Sequence, residues 1–227
     1  MSFQHGTAYF AQRLAELSDD ALDGETLLDG WTRRHLVAHV SYNAAALCRL
    51  LDWAASGVET PMYESVAQRN QEILEGATLS PAALRNLFNH TAARLAEKWR
   101  ALPEPAMSAI VRTAAGRLVP ASDVAWMRSR EVWVHGVDLA NGGRFGDFPE
   151  PFLRSLLSDI VSAWRRKELG AGLVLEVPGC APLAIHPGSV PTATMRGALP
   201  ALVRWAAGRG AVGVSFEGPQ LTPPHWL

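Results

Sequence analysis

One segment of the chain carries a glutamate and a histidine at a spacing that suits metal binding. In residues 128–138, RSREVWVHGVD, Glu131 and His135 stand four positions apart. On an α-helix such side chains project from the same face. Arg128 and Asp138 fall on the same stripe, while apolar residues and tryptophans cover most of the remaining surface. Buried charges are tolerated only when they are paired or bound to a metal. The segment therefore predicts half of a metal site, which needs a further ligand from another element.

A second predicted helix, from residue 33 to about residue 56, offers two candidates for that ligand. His39 lies among apolar neighbours on the inward side of this helix, whereas His35 falls in the first turn, where solvent is nearer. We therefore favour His39. Together with Glu131 and His135 it would supply three protein ligands, and catalytic zinc sites keep a fourth position for water or substrate. Helical bundles commonly build such sites from inward-facing side chains.

The same residues also admit a purely structural interpretation. Glu131 would then pair with Arg128, and His39 would be a core histidine with an ordinary hydrogen-bond partner. An isolated Glu-x-x-x-His pattern favours this interpretation, while the enclosed stripe and the position of His39 favour a metal. The residues by themselves leave both possibilities open.

An arginine and two cysteines are the other candidates for chemistry. Arg209 follows a predicted helix in the glycine-flanked turn AAGRG. There it would either cap the helix C-terminus or bind an anion through its two-pronged guanidinium, and the sequence does not decide between these roles. Cys48 and Cys180 match no metal or redox spacing. We expect Cys48, on an apolar helix face, to be a core residue rather than a nucleophile.

The elements that must position these residues divide into two parts. Helical periodicity dominates residues 1–146, and short β-rich runs mixed with helices follow in residues 147–227. This predicts an α+β protein, with a four-helix bundle followed by a smaller α/β domain. Residues 107–119 are expected to form a loop or a weak hairpin. The predicted strands of the second part are residues 172–177, 182–185, 192–195 and 212–216.

Composition narrows the class of protein. Of the 227 residues, 48% are hydrophobic and 19% are charged, and the net charge is -1. A net charge close to zero indicates neither a protein that binds nucleic acid nor one that binds anionic membrane surfaces. No apolar run approaches the roughly 20 residues of a membrane span, and the first residues lack the pattern of a signal peptide. We therefore predict a cytoplasmic protein with reduced thiols.

Two of these segments, with several shorter blocks, resemble a known family. Residues 30–40, GWTRRHLVAHV, and residues 128–135, RSREVWVH, look like the mycothiol-dependent maleylpyruvate isomerases, members of the DinB-like metal-binding bundle superfamily. The metal pattern by itself indicates the superfamily, and the additional blocks indicate the isomerases. These blocks are ALC at 46–48, ETPMY at 59–63, PAS at 120–122, AAGRG at 206–210 and the terminal WL.

The resemblance implies a DinB-like bundle in which His39, Glu131 and His135 bind a divalent metal, with zinc as our expectation. It implies mycothiol as the thiol cofactor and a functional arginine in the C-terminal domain, which we assign to Arg209 in preference to Arg204. The implied reaction converts maleylpyruvate to fumarylpyruvate, in the gentisate pathway of aromatic catabolism. It would proceed by thiol addition, bond rotation and elimination, with Arg209 or Arg128 offsetting the developing negative charge.

Two other functions stay open at this point. One is a different metal-dependent S-transferase of the same fold, which would conjugate a low-molecular-weight thiol to an electrophile. The other is a non-catalytic protein whose C-terminal domain binds a small apolar ligand, with the bundle as a scaffold. Turnover that depends on an added thiol would separate the enzymes from the binding protein.

Overall fold

The computed structural model describes residues 3–226. The chain divides into two compact units, one ending at Gly143 and the other beginning at Arg144. The combination of helices with small sheets confirms the predicted α+β class. The boundary predicted from the sequence lies slightly later, between residues 146 and 147. None of the described helices is both long enough and apolar enough to cross a membrane.

The first unit is built from α-helices. Within the described residues these are α1 (Phe3–Ala15), α2 (Arg33–Ser56), α3 (Val66–Ala77), α4 (Pro81–Ala101) and α5 (Asp123–Asp138). The helix α2 lies at the centre of the unit, since it packs against α3, α4 and α5, while α1 packs against α5. The helices α1, α2, α4 and α5 make up the predicted bundle, and α3 is an addition formed by a polar stretch.

The helix ends follow from local chemistry. At the start of α4 the Ser80 side chain accepts a hydrogen bond from the backbone N–H of Ala83, and Pro81 occupies the first helical position, where a missing N–H costs nothing. At the end of α2, Gly57 adopts a φ of 75°, a left-handed conformation that strains most other residues. These signals explain why the helix bounds were predictable.

A short antiparallel hairpin connects α4 to α5. It consists of β1 (Ile110–Arg112) and β2 (Leu118–Pro120), with Val111 paired opposite Val119. Both valines are buried in the core that α2 and α4 also line. The weak hairpin expected in this region is therefore present, and its two inward valines attach it to the bundle.

The helix α5 is enclosed, as its sequence predicted, because none of its residues is exposed. Two apolar cores lie along it. One contains Val124 of α5 with Leu47 of α2, and the other contains Val132 of α5 with Leu36 of α2. The polar stripe of α5 is thus flanked by tightly packed apolar groups.

The second unit contains helices and a four-stranded sheet. The described strand order is β4–β3–β5–β6, with β3 and β5 parallel and the other neighbours antiparallel. Each predicted strand forms, with its ends shifted by one or two residues. The elements are α6 (Glu150–Arg166), β3 (Leu173–Glu176), β4 (Leu183–Ala184), β5 (Ala193–Gly197), α7 (Leu199–Ala206) and β6 (Val214–Glu217).

Arg33 joins the start of α2 to the end of α5. Its guanidinium donates to the carbonyl oxygens of Leu139 at 2.7 Å, Ala21 at 2.8 Å and Ala140 at 3.3 Å. Carbonyl groups at the end of a helix have no donor within the helix. Arg33 therefore supplies donors to the carbonyls just beyond α5, whereas the Ala21 carbonyl also accepts from the backbone N–H of Gly24. These bonds fix the relative position of the two helices that carry the predicted metal ligands.

The substitution Arg33→Ala is expected to lower the free energy of unfolding by about 2–3 kcal/mol, because charged hydrogen bonds to backbone carbonyls are lost. Urea unfolding followed by circular dichroism measures this change. Arg112→Ala serves as the control, since Arg112 is 53% exposed and lies 3.8 Å from Glu59. An exposed pair contributes at most about 1 kcal/mol. Equal stability of the two variants would contradict the anchoring role of Arg33.

Candidate metal centre

The structure brings the three predicted ligands together. His39 of α2 and both Glu131 and His135 of α5 each offer a donor atom, and these atoms all lie within 4.8 Å of one another. Glu131 Oε1 is 2.6 Å from Nε2 of His39 and 3.6 Å from Nε2 of His135. Within residues 3–226 this is the one group of three such side chains close enough to share an ion.

The central atom of this cluster is Glu131 Oε1. It is buried and, despite its short distance to His39, has no hydrogen bond of acceptable geometry in the described part of the chain. A buried oxygen without a donor is destabilising. A cation among the three donor atoms would remove that cost, and two imidazoles with one carboxylate are a ligand set that Zn²⁺ and related divalent ions accept. The residues present therefore fit a divalent metal.

The charges in the cluster favour the protonation states that metal ligation requires. Burial would raise the pKa of Glu131, but His39, His135 and Arg128 together outweigh burial and hold that pKa far below its usual range. Burial lowers the pKa of His39 even though Glu131 opposes the change. An anionic carboxylate and a neutral imidazole are the forms that bind a metal.

Asp138 orients His135. Its Oδ2 lies 2.8 Å from Nδ1 of His135, and its side chain is fully buried. A carboxylate accepts the Nδ1 proton, which leaves the Nε2 lone pair free on the side of Glu131. Carboxylates commonly support metal-binding histidines in this way. In the sequence Asp138 falls on the polar stripe of α5, and its spacing of three residues from His135 is the signal that could have predicted this contact.

His39 has a different neighbour on its second nitrogen. Nη2 of Arg69, in α3, lies 3.2 Å from Nδ1 of His39. Because a guanidinium only donates hydrogen bonds, this nitrogen must act as an acceptor here. Arg69 was not among the predicted site residues, because no spacing pattern links α3 to α2 and only the packing of the two helices brings Arg69 and His39 together.

Two of the alternatives from the sequence are resolved by geometry. Nδ1 of His35 lies 2.8 Å from the hydroxyl of Thr32, so His35 caps α2 and is outside the cluster. Arg128 is fully buried and donates from Nη1 to the Val40 carbonyl at 2.7 Å. Its Nε and Nη2 have no partner among the described residues, so the pairing with Glu131 required by the structural interpretation is not formed.

Arg209 lies in the second unit, just after α7. Its Nη1 donates to the Ala207 carbonyl at 2.5 Å, and its own carbonyl accepts from Nε of Arg204 at 2.7 Å. Both arginines therefore hold the turn that ends α7, as the capping interpretation predicted. Anion binding by Arg209 stays a prediction, with Arg204 as the alternative.

Neither cysteine belongs to the metal cluster. Cys48 is 2% exposed and lies in the apolar core, as expected, and burial raises the pKa of its thiol. Cys180 is exposed, and both thiols are free. A buried thiol with a raised pKa is a poor nucleophile near neutral pH, because the thiolate is the reactive form.

Asp138→Asn is expected to weaken metal binding about tenfold, and Asp138→Ala up to about a hundredfold, because His135 loses the carboxylate that fixes its orientation. Competition with a chromophoric chelator measures the affinity. His39→Ala, which removes a ligand, should lower the metal content more strongly than either change. Asp52→Asn is the control, since Asp52 pairs with Lys98 away from the cluster. Unchanged metal affinity in both Asp138 variants would rule out the orienting role.

The chain is similar to known mycothiol-dependent isomerases. A family model described as the mycothiol maleylpyruvate isomerase N-terminal domain matches residues 3–140. The crystal structure of a mycothiol-dependent maleylpyruvate isomerase is 47% identical, with a TM-score of 0.94 over 99% of this chain and 94% of that chain. A histidine-to-alanine mutant of such an isomerase matches at 46% identity, with the same TM-score and coverage.

A weaker likeness is to YfiT from Bacillus subtilis, described as a probable metal-dependent hydrolase with an unusual four-helix bundle topology. It is 18% identical, with a TM-score of 0.47 over 61% of this chain and 78% of that chain. A search of curated proteins gives no match. The family model spans more than half of the chain, and the isomerase structure matches nearly all of it. This chain therefore belongs to the mycothiol maleylpyruvate isomerase family.

Proposed function

We propose that this protein catalyses the mycothiol-dependent isomerisation of maleylpyruvate to fumarylpyruvate, a cis–trans step of the gentisate pathway. The observation that carries the proposal is the convergence of His39, Glu131 and His135 on one point in a chain of this family. We propose zinc as the metal, because two histidines and one carboxylate are the ligands of many catalytic zinc sites. The proposal includes a cytoplasmic location, where low-molecular-weight thiols stay reduced.

We infer that the nucleophile of the reaction comes from outside the chain. Cys48 is enclosed in the core, and Cys180 belongs to the second unit, whereas the three predicted metal ligands belong to the first. When bound, the metal would supply a Lewis acid that favours the thiolate form of a thiol. Mycothiol would provide that thiol, since three protein ligands leave room for an exogenous one.

The chemistry is an addition followed by an elimination. The thiolate adds to one carbon of the cis double bond, so that a C–S bond forms and the π electrons move into the conjugated carbonyl as an enolate. The former double bond is then single and rotates. Elimination breaks the C–S bond, returns the electron pair to sulfur and restores the double bond in the trans arrangement. Atoms and electrons balance without an oxidant or a second substrate.

The residues of the chain hold and orient the reactants. Glu131 and the two histidines hold the metal, and Asp138 fixes one of those histidines. Arg209 is proposed to bind a substrate carboxylate and to offset the charge of the enolate. Arg128 is too deeply enclosed between α2 and α5 to contact a substrate, and it acts on the pKa of Glu131 instead.

Activity is expected to require added thiol and no protein cysteine. The double variant Cys48→Ala, Cys180→Ala should isomerise maleylpyruvate at a rate close to wild type when mycothiol is present, and neither protein should act without it. Spectrophotometric assays with and without mycothiol measure this. Turnover without thiol, or loss of activity in a folded double variant, would refute the mechanism. A stable thioether formed from another electrophile would instead indicate an S-transferase.

Arg209→Ala is expected to lower kcat/KM about tenfold to a hundredfold, because a charged, two-pronged hydrogen bond contributes about 1.5–3 kcal/mol. Arg209→Lys should recover only part of the loss, since the ammonium group of lysine cannot donate two parallel hydrogen bonds to a carboxylate as a guanidinium does. Steady-state kinetics measure both variants, with thermal melting as the check on folding. Wild-type kinetics in Arg209→Ala would remove the arginine from the mechanism and leave the metal and thiol requirements standing.

A further inference from the structure

A groove lies beside His39 in the first unit. It has a volume of about 280 Å³, and its lining includes Trp53, Met62, Tyr63 and Arg69. The guanidinium of Arg69 connects the groove to the metal cluster, because it lies 6.0 Å from the centre of the Tyr63 ring and 3.2 Å from Nδ1 of His39. The groove therefore has both polar and apolar walls, and one cation connects it to a predicted metal ligand.

Arg69 forms no ion pair with a carboxylate within residues 3–226. Its Nη1 donates to the side-chain oxygen of Asn70 at 3.2 Å, its Nη2 faces His39, and it also forms a hydrogen bond with the Tyr63 side chain. A guanidinium at a groove that lacks a carboxylate partner is suited to bind an anion. Two neighbouring arginines, in contrast, do have partners: Arg49 with Glu72 at 3.6 Å and Arg112 with Glu59 at 3.8 Å.

A bound metal would change which nitrogen of His39 carries the proton, and so whether Nδ1 can accept a hydrogen bond from Arg69. Nε2 of His39 faces Glu131, so a metal held there requires that nitrogen to be unprotonated and places the proton of the neutral ring on Nδ1. Nδ1–H and the guanidinium would then face each other as two donors with no acceptor. A carboxylate oxygen resolves this conflict, because it accepts from both. Metal-binding histidines usually donate their second N–H to such an oxygen.

We propose that Arg69, in the metal-loaded enzyme, binds a carboxylate of the substrate, with the groove beside Tyr63 as the subsite. The inference rests on the proposed function, since maleylpyruvate carries a carboxylate at each end and one arginine does not neutralise both. Tyr63 is compatible with an anion, because burial raises its pKa to about 12 and keeps the phenol neutral. The two glutamates that line the groove, Glu59 and Glu64, are exposed.

The test uses pimelate, a saturated seven-carbon dicarboxylate that cannot isomerise, and calorimetric titration of the zinc-loaded enzyme. Arg69→Ala should weaken pimelate binding about tenfold to a hundredfold. Arg69→Lys should recover part of the affinity. Arg100→Ala, which removes an exposed arginine at the end of α4 outside the groove, should bind pimelate within about twofold of wild type. Equal affinity of wild type and Arg69→Ala, or no binding to wild type, would overturn the inference.

The affinity for zinc separates this role from a structural one. Because Arg69 opposes the metal-bound tautomer of His39, Arg69→Ala should bind zinc as tightly as wild type or more tightly in chelator competition. A weakened zinc site would show that Arg69 supports the metal and would overturn the proposal. If pimelate binding depends on Arg69 but wild type does not isomerise maleylpyruvate with mycothiol, the carboxylate site stands and the proposed function fails.

Discussion

The packing of α2 against α5 places Nε2 of His39 2.6 Å from Oε1 of Glu131, and the chemistry of the first unit depends on this contact. Oε1 of Glu131 is buried and has no hydrogen bond of good geometry among the described residues. A positive charge close to a buried carboxylate oxygen stabilises it. The apolar cores on either side and the anchor at Arg33 hold the helices in place. The bundle thus keeps three donor atoms close enough together to share one ion.

The two histidines of the site are supported in opposite ways. The buried Asp138 accepts a hydrogen bond from Nδ1 of His135, which leaves the lone pair of Nε2 free to bind a metal. Arg69, a cation, donates to His39 and favours the tautomer that does not bind one. A carboxylate ligand that engages Arg69 would remove this opposition. Since linked binding equilibria are reciprocal, metal and carboxylate should then each strengthen the binding of the other.

The positions of the cysteines explain why an enzyme of this design needs a cofactor thiol. Cys48 is enclosed in the apolar core, where burial raises its pKa and keeps it protonated. A residue in that position stabilises the bundle by packing and cannot reach a substrate. Cys48 therefore contributes packing rather than a reactive sulfur, in agreement with the mycothiol dependence of the family to which this chain belongs.

The sequence by itself determined the features that depend on neighbours along the chain. The periodicity of apolar residues predicted α2 with the bounds that the structure shows, and the four-residue spacing placed Glu131 and His135 on one face of α5. It also distinguished the buried His39 from His35 in the first turn. These predictions succeeded because the rotation per residue of a helix is fixed, so that the direction of a side chain follows from its position in the sequence.

The tertiary structure decided which helices meet and what lies opposite each polar group. The distance from Arg69 to His39 depends on how α3 packs on α2, and the failure of Arg128 to pair with Glu131 depends on its insertion toward the Val40 carbonyl. The boundary after Gly143 likewise reflects contacts rather than composition. Contacts between residues far apart in the chain result from the packing of many side chains at once, and no local spacing encodes them.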